Sequence, residues 1–203
     1  MTEDIKTPVI VLVCSGKRKS GKDYITEILQ QRLGKDVCAI MRLSKPLKSQ
    51  YAKENGLDLD RLLDASEYKE QYRAAMIRWG EERRKQEPYY FCRLAVQGNE
   101  SVKPVWIISD ARRKTDVEFF REIYPSAAVT VRVEAEVHVR EQRGFLFTKG
   151  IDDAESECGL DEGVGWDLIV HNNGDHLDLD STLDDICHMV RQRLKEANNV
   201  QVS

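Results

Sequence analysis

Gly16-Lys17-Arg18-Lys19-Ser20-Gly21-Lys22-Asp23 is the stretch of this chain whose residue types and spacing best fit chemistry. It matches the pattern G-x-x-x-x-G-K and departs only at the last place, where Asp23 stands instead of Ser or Thr. In such a loop the glycines let the backbone wrap until successive N–H groups point into one concavity. A helix beginning there adds the positive end of its dipole. Lys22 is then placed to reach the β- and γ-phosphates of a nucleotide. Lys17, Arg18 and Lys19 read alone are a solvated basic turn. Beside a loop already dense with donors, three like charges are costly unless anions neutralise them, which favours phosphate contact. Asp23 replaces a hydroxyl that normally ligates Mg²⁺, and a carboxylate can take that ion directly or through water. The alternative is a first-turn Asp that only complements the helix dipole.

Other candidates lie further along. Val105-Trp106-Ile107-Ile108-Ser109-Asp110 is an apolar strand ending in an acid, the form of a Walker B element that orients Mg²⁺. Arg112 and Arg113 follow at once, where a second phosphate can lie, because ligands of open α/β sheets sit at the carboxyl ends of strands. Lys45 with Lys48, Lys69 with Arg73, and Arg140 with Arg143 pair at helical spacing. Such pairs cost a helix roughly 0.2–0.5 kcal/mol each, a cost an anion between them removes. No N-K-x-D, G-x-S-x-G or H-E-x-x-H is present, and His138, His171, His176 and His188 lack ligand spacing.

The elements that must position these residues alternate. Val9–Val13, Val37–Leu43, Val105–Ile108, Ala128–Val133 and Trp166–Val170 read as five short strands. Ile25, Ile28, Leu29 and Leu33 mark a helix stopped at Gly34, and Ser44 with Pro46 opens another. Tyr68, Tyr72, Met76 and Trp79 stripe a long helix that fades near Gln86-Glu87-Pro88, a stripe read as core packing. Leu183, Ile186, Cys187, Val190 and Leu194 mark a terminal helix, with Asn198–Ser203 expected to fray. The pattern predicts a doubly wound α/β fold with a five-stranded parallel sheet.

Composition sets the limits. The chain has 203 residues, 41% hydrophobic and 33% charged, with net charge −4. Length fits one domain at roughly 150 residues each, so residues 1–203 are read as a single domain. An acidic balance without basic stretches interleaved with aromatics argues against a nucleic-acid binder. No apolar run approaches the ~20 residues that span a bilayer. The polar start is unlike a signal or transit segment, and Gln201-Val202-Ser203 is no convincing S-K-L peroxisomal address. Cys14, Cys38, Cys92, Cys158 and Cys187 form no C-x-x-C pair, so reduced thiols and a cytosolic protein are expected.

The set of motifs is similar to the animal type of phosphomevalonate kinase. The resemblance rests on Ser15–Asp23, Met76-Ile77-Arg78-Trp79-Gly80-Glu81-Glu82, Ser109-Asp110-Ala111-Arg112-Arg113 and Arg140-Glu141-Gln142-Arg143-Gly144-Phe145. Its most distinctive block is Asp152-Asp153-Ala154-Glu155-Ser156-Glu157-Cys158-Gly159-Leu160-Asp161. These blocks span roughly residues 9 to 173 in the family's order; the segment after Asn173 matches weakly.

The resemblance implies a P-loop three-layer sandwich like the nucleoside monophosphate kinases, with a helical substrate-binding region and a lid at about 134–150. It implies transfer of the ATP γ-phosphoryl group to (R)-5-phosphomevalonate, giving (R)-5-diphosphomevalonate and ADP, on the route to isoprenoids, sterols and cholesterol. By position, Gly16 and Lys17 to Asp23 bind ATP phosphates, with Mg²⁺ at Asp23 and Asp110. Lys22, Lys19, Asp23, Arg112, Arg140 and Arg143 form the catalytic set. Lys48, Lys69, Arg73, Arg84, Arg112, Arg113, Arg132 and Asn172 hold phosphomevalonate, and Arg143 and Asn173 contact the nucleotide. A monomer is implied. The rival expectations are another small P-loop kinase, acting on a nucleoside monophosphate or dephospho-coenzyme A, and a non-enzymatic nucleotide or nucleic-acid binder.

Overall fold

The structure is a computed structural model that describes residues 7–64 and 67–201. The N-terminal Met1–Lys6 and the last two residues, Val202 and Ser203, on which expectations about targeting fell, lie outside the described residues. The chain divides into two compact units, residues 1–41 with 99–203 and residues 42–98.

The first unit is an α/β layer. Its strands are β1 (Ile10–Ser15), β2 (Cys38–Met41), β3 (Val105–Ile108), β4 (Ala128–Glu134) and β5 (Leu168–His171). All pairings are parallel, in the order β2-β3-β1-β4-β5. The central strands β1 and β3 are buried along their whole length, which is why they read as continuous apolar runs. Helix α1 (Lys22–Leu33) ends at Gly34, whose φ of 98° is a value that side-chain-bearing residues rarely adopt. Ile25 and Leu29 of α1 join Leu183, Ile186, Cys187 and Val190 of the terminal helix over one sheet face.

The second unit is helical: α2 (Ser44–Asn55), α3 (Leu59–Leu63), α4 (Glu67–Gln86) and α5 (Tyr90–Val96). Tyr51, Ala52, Leu62 and Met76 form its core, with Tyr68, Tyr72 and Trp79 packed against them, as expected. Tyr51 and Trp79 meet edge to face at 5.7 Å. A Cβ on Gly80 would lie 2.8 Å from Leu47 Cδ1, so the Leu47 side chain would have to shift to admit one.

The remaining helices belong to the first unit: α6 (Lys114–Ile123), α7 (Val137–Gln142), α8 (Glu155–Cys158) and α9 (His176–Gln201). Several expected boundaries shift, and strand β2 covers Cys38–Met41 rather than Val37–Leu43. Strand β1 runs on to Ser15, because Cys14 and Ser15 pair with Val131 and Arg132. Strand β5 starts at Leu168 rather than Trp166. The Asp167 carboxylate takes the Thr130 N–H at 2.7 Å, so the ladder with β4 begins beyond it, at Val131 and Leu168. Helix α9 runs through Asn198 to Gln201 instead of fraying there.

Candidate active site

Residues 16–21 turn tightly between β1 and α1. Lys19 is the one non-glycine with positive φ (64°) among the described residues, and Gly21 follows at 86°. The Ser20 N–H donates to the Lys17 carbonyl at 3.0 Å and closes the turn. Alternating right- and left-handed residues of this kind aim backbone N–H groups into one concavity. Both glycines are required by space. A Cβ on Gly16 would sit 2.6 Å from Ser20 Oγ and 2.8 Å from the Val133 carbonyl, and one on Gly21 would collide with Asn172.

Lys22 opens α1 and is buried, at 8% exposure. Its ammonium pairs with Asp23 Oδ1 at 2.8 Å and donates to the carbonyl of Ser109, the residue just past β3. The phosphate loop is thereby tied to the end of the Walker-B-like strand. Asp23 is exposed and Asp110 half-buried. Burial lowers the pKa of the Arg112 guanidinium, while Asp110, Asp23 and Asp116 pull it back up. Three carboxylates from different parts of the chain therefore act on one arginine. Among the described residues no group of three or more His, Cys, Asp or Glu could hold a metal ion. A Mg²⁺ here would rely on nucleotide phosphate and water for its remaining ligands, its common habit.

The expected lid arginines dock on the loop by its carbonyls. Arg140 Nε donates to the Arg18 carbonyl at 2.8 Å, and its guanidinium lies 3.9 Å from the Phe145 ring centroid. Burial pushes its pKa down. Arg143 donates to the Ser20 carbonyl at 3.2 Å and to Asn172 at 2.9 and 3.1 Å. Asn172, just past β5, donates in turn to the Ser20 carbonyl at 2.9 Å. Asn173 takes the Glu136 N–H at 2.8 Å. A cavity of about 670 Å³ adjoins the loop, lined among others by Lys17, Ser20, Arg132, Arg140, Asp161 and Asn173.

The structure thus brings together Gly16 to Asp23, Arg112, Arg132, Arg140, Arg143, Asn172 and Asn173. Asp110 acts on Arg112, as described above. Arg113 caps α6, where its N–H and that of Arg112 both donate to Asp116, at 3.1 and 2.9 Å. Lys48 on α2 and Lys69, Arg73 and Arg84 on α4 belong to the helical unit. There Arg73 pairs with Glu70 at 3.0 Å and Arg84 lies 4.5 Å from the Phe91 ring centroid. The Lys69–Arg73 repulsion is thus relieved in part by Glu70, without an external anion.

Spacing arguments missed the anions of the first unit. Lys17 and Arg18 of the loop pair with the chain's own Asp161 and Asp152, and Arg112 with Glu157. The acidic run 152–161 carried the signal, yet its partners are invisible to local spacing. Ser109 was missed as well. Its hydroxyl and that of Ser20 are buried and have no hydrogen-bond partner among the described residues. Such groups are rare in native proteins and mark a place for an oxygen-bearing ligand or water.

A family model described as phosphomevalonate kinase matches residues 14–126, a span that includes the loop and Ser109–Arg113. The phosphomevalonate kinase of Drosophila melanogaster is 46% identical over 167 residues, 80% of this chain and 88% of the relative. The crystal structure of TT1252 from Thermus thermophilus is similar over 91% of this chain and 98% of its own. The TM-score is 0.50 at 15% identity, a likeness of fold alone. With a family model spanning more than half the chain and a relative 46% identical across most of both lengths, this chain belongs to the phosphomevalonate kinase family.

Proposed function

We propose that this chain transfers the γ-phosphoryl group of ATP to (R)-5-phosphomevalonate, releasing ADP and (R)-5-diphosphomevalonate. The observation that carries the reading is the convergence of Lys22, Arg112, Arg132, Arg140 and Arg143 on one phosphate loop in a chain of this family.

The acceptor is itself a phosphate monoester, so its oxygen is a competent nucleophile and needs no strong general base. The reaction asks instead for alignment and charge stabilisation. Two polyanions must approach to roughly 3–3.5 Å between reacting atoms. In this reading the loop N–H groups and Lys17 to Lys22 bind the ATP phosphates, and Lys22 stabilises the transferring group. Arg140 and Arg143 act as arginine fingers in cis, from a lid at 134–150 whose closure excludes water. Asp23 and Asp110 would hold Mg²⁺, which when bound neutralises charge on the phosphates. Lys48, Lys69, Arg73, Arg84, Arg112, Arg113, Arg132 and Asn172 hold the acceptor, and Asn173 contacts the nucleotide.

Residues 1–203 are taken to work as a single domain and as a monomer in the cytosol, without a nucleic-acid partner. Among the described residues no helix is long and apolar enough to cross a membrane. The test is ADP release with phosphomevalonate beside AMP, CMP, UMP and dephospho-coenzyme A. Turnover confined to phosphomevalonate is the expected result; faster turnover with any other acceptor overturns the reading.

A further inference from the structure

Four cations around the phosphate loop, Lys17, Arg18, Arg112 and Arg132, are each held by part of their donor set. Arg18 uses Nη1 on both oxygens of Asp152, at 3.0 and 2.8 Å. Arg112 uses Nη1 on Glu157 and on the Ser156 carbonyl. Arg132 gives Nη2 to Asp161 at 2.8 Å and Nη1 to Ser15 Oγ at 3.1 Å. Lys17 meets the other oxygen of Asp161 at 2.5 Å. Each guanidinium carries five donors in a planar fork, so one occupied nitrogen fixes the plane and leaves further N–H groups for a ligand.

The carboxylates are anchored themselves. The Asp152 and Glu157 side chains are only 6% and 7% exposed, against 34% and 40% for Arg18 and Arg112. Asp152 also takes the Thr148 N–H at 2.7 Å, and its carbonyl accepts from Cys158 Sγ at 3.1 Å. Glu157 additionally takes the backbone N–H of Arg18 at 3.3 Å. Asp152 and Glu157 lie deep and their cations lie toward solvent, whereas Asp161 is partly exposed and its partner Arg132 is the buried member. A buried carboxylate already bonded to backbone does not leave when an anion arrives; it orients the cation that meets it.

We propose that Asp152, Glu157 and Asp161 are positioning residues for phosphate binding, each clamping loop or strand cations so that their remaining donors meet ligand oxygens. The proposal rests on the phosphate site described above, and it predicts an effect opposite in sign to simple electrostatics. Removing a negative charge beside an anion site should tighten anion binding by the Coulomb field alone. Removing a clamp should weaken binding, because the cation then loses side-chain entropy on meeting the ligand.

The experiment is calorimetric titration of the full chain with inorganic tripolyphosphate, which needs no turnover and so stands apart from the acceptor test. Glu157→Gln and Asp161→Asn should bind it about tenfold more weakly, the worth of one oriented charge-assisted hydrogen bond. Asp161→Glu, which keeps the charge, should recover most of the loss. Glu155→Gln removes a charge from the same helical turn and should leave binding unchanged or slightly tighter. Melting temperatures for each variant separate lost binding from lost fold, and Asp161, being partly exposed, is the position least exposed to that confusion. Tighter or unchanged binding in Glu157→Gln and Asp161→Asn overturns the proposal, as does equal weakening in Glu155→Gln.

Discussion

The two units handle positive charge in opposite ways. In the helical unit the cations find partners nearby: Arg73 pairs with Glu70 one turn away, and Arg83 with Glu54 on the neighbouring α2 at 2.7 Å. These contacts are exposed, and pairs of that kind are worth about 0–1 kcal/mol. In the α/β unit Arg18 reaches Asp152 134 positions away and Lys22 reaches Ser109 87 positions away. Locally paired, exposed cations are held only weakly. Distantly clamped cations are preorganised, which is what stabilising a transition state demands.

The severest test of that contrast is Lys22→Met. A buried ammonium wedged between Asp23 and the Ser109 carbonyl is positioned in advance, so its loss should lower kcat by on the order of 10²–10³. Circular dichroism should be unchanged. Near-wild-type kcat in a folded variant removes Lys22 from the chemistry.

Next in size are the arginines of the two units. Arg140→Ala and Arg143→Ala should lower kcat, because both hold the phosphate loop by its carbonyls. Arg73→Ala should mainly raise the KM for phosphomevalonate and leave the melting temperature nearly alone. Steady-state kinetics with each substrate varied in turn reads both. If Arg73→Ala changed kcat alone, the division between preorganised and weakly held cations would fail.

Asp23 gives a smaller effect with a sharper discrimination. If its carboxylate takes Mg²⁺, Asp23→Asn should raise the Mg²⁺ concentration for half-maximal rate and lower kcat, and Asp23→Ser should keep more activity than Asp23→Ala. A residue that serves only the helix dipole predicts instead a stability loss of about 0.3–1 kcal/mol with unaltered Mg²⁺ dependence. Rate against Mg²⁺ concentration, beside melting temperature, decides between them.

The smallest effect concerns the sheet edge that positions Asn172. Burial works against the Asp167 carboxylate, but hydrogen bonds from the Thr130 N–H and hydroxyl outweigh it and lower its pKa. A carboxyl whose folded pKa is depressed contributes stability above its unfolded pKa, and that contribution fades as pH falls through the folded value. Asp167→Asn should therefore lower the melting temperature at neutral pH and flatten its decline below the ordinary carboxylate range. A parallel acid decline in both proteins would show that Asp167 contributes nothing to it.

Much of this was legible in residue order. The run Val105–Ile108 was found to the residue, because a strand buried on both faces has no polar positions to blur its ends; Ala128–Val133 was found within one residue despite Thr130 and Arg132, because its alternate positions stay apolar. The fade of α4 at Gln86 was equally clear, since Pro88 cannot continue a helix. The start of β5 was missed because Asp167 takes a ladder hydrogen bond with its side chain, which no periodicity records. Lys22, the glycines and the arginine pairs were found by type and spacing. Their counter-ions were not, because Asp152, Glu157 and Asp161 read locally as one more acidic surface run.

The sequence by itself determined the strand–loop–helix setting of Gly16–Asp23, the parallel α/β architecture and the inventory of cations. All of these depend on neighbours within one or two turns of chain, where hydrophobic period and backbone freedom decide. Only the tertiary structure decided which carboxylate faces which cation, that Lys22 rests on the Ser109 carbonyl, and that Arg140 and Arg143 grip the loop through its backbone. Those pairings arise when parallel strands distant in sequence are brought side by side. The crossover connections that do so leave no local mark on the residues they unite.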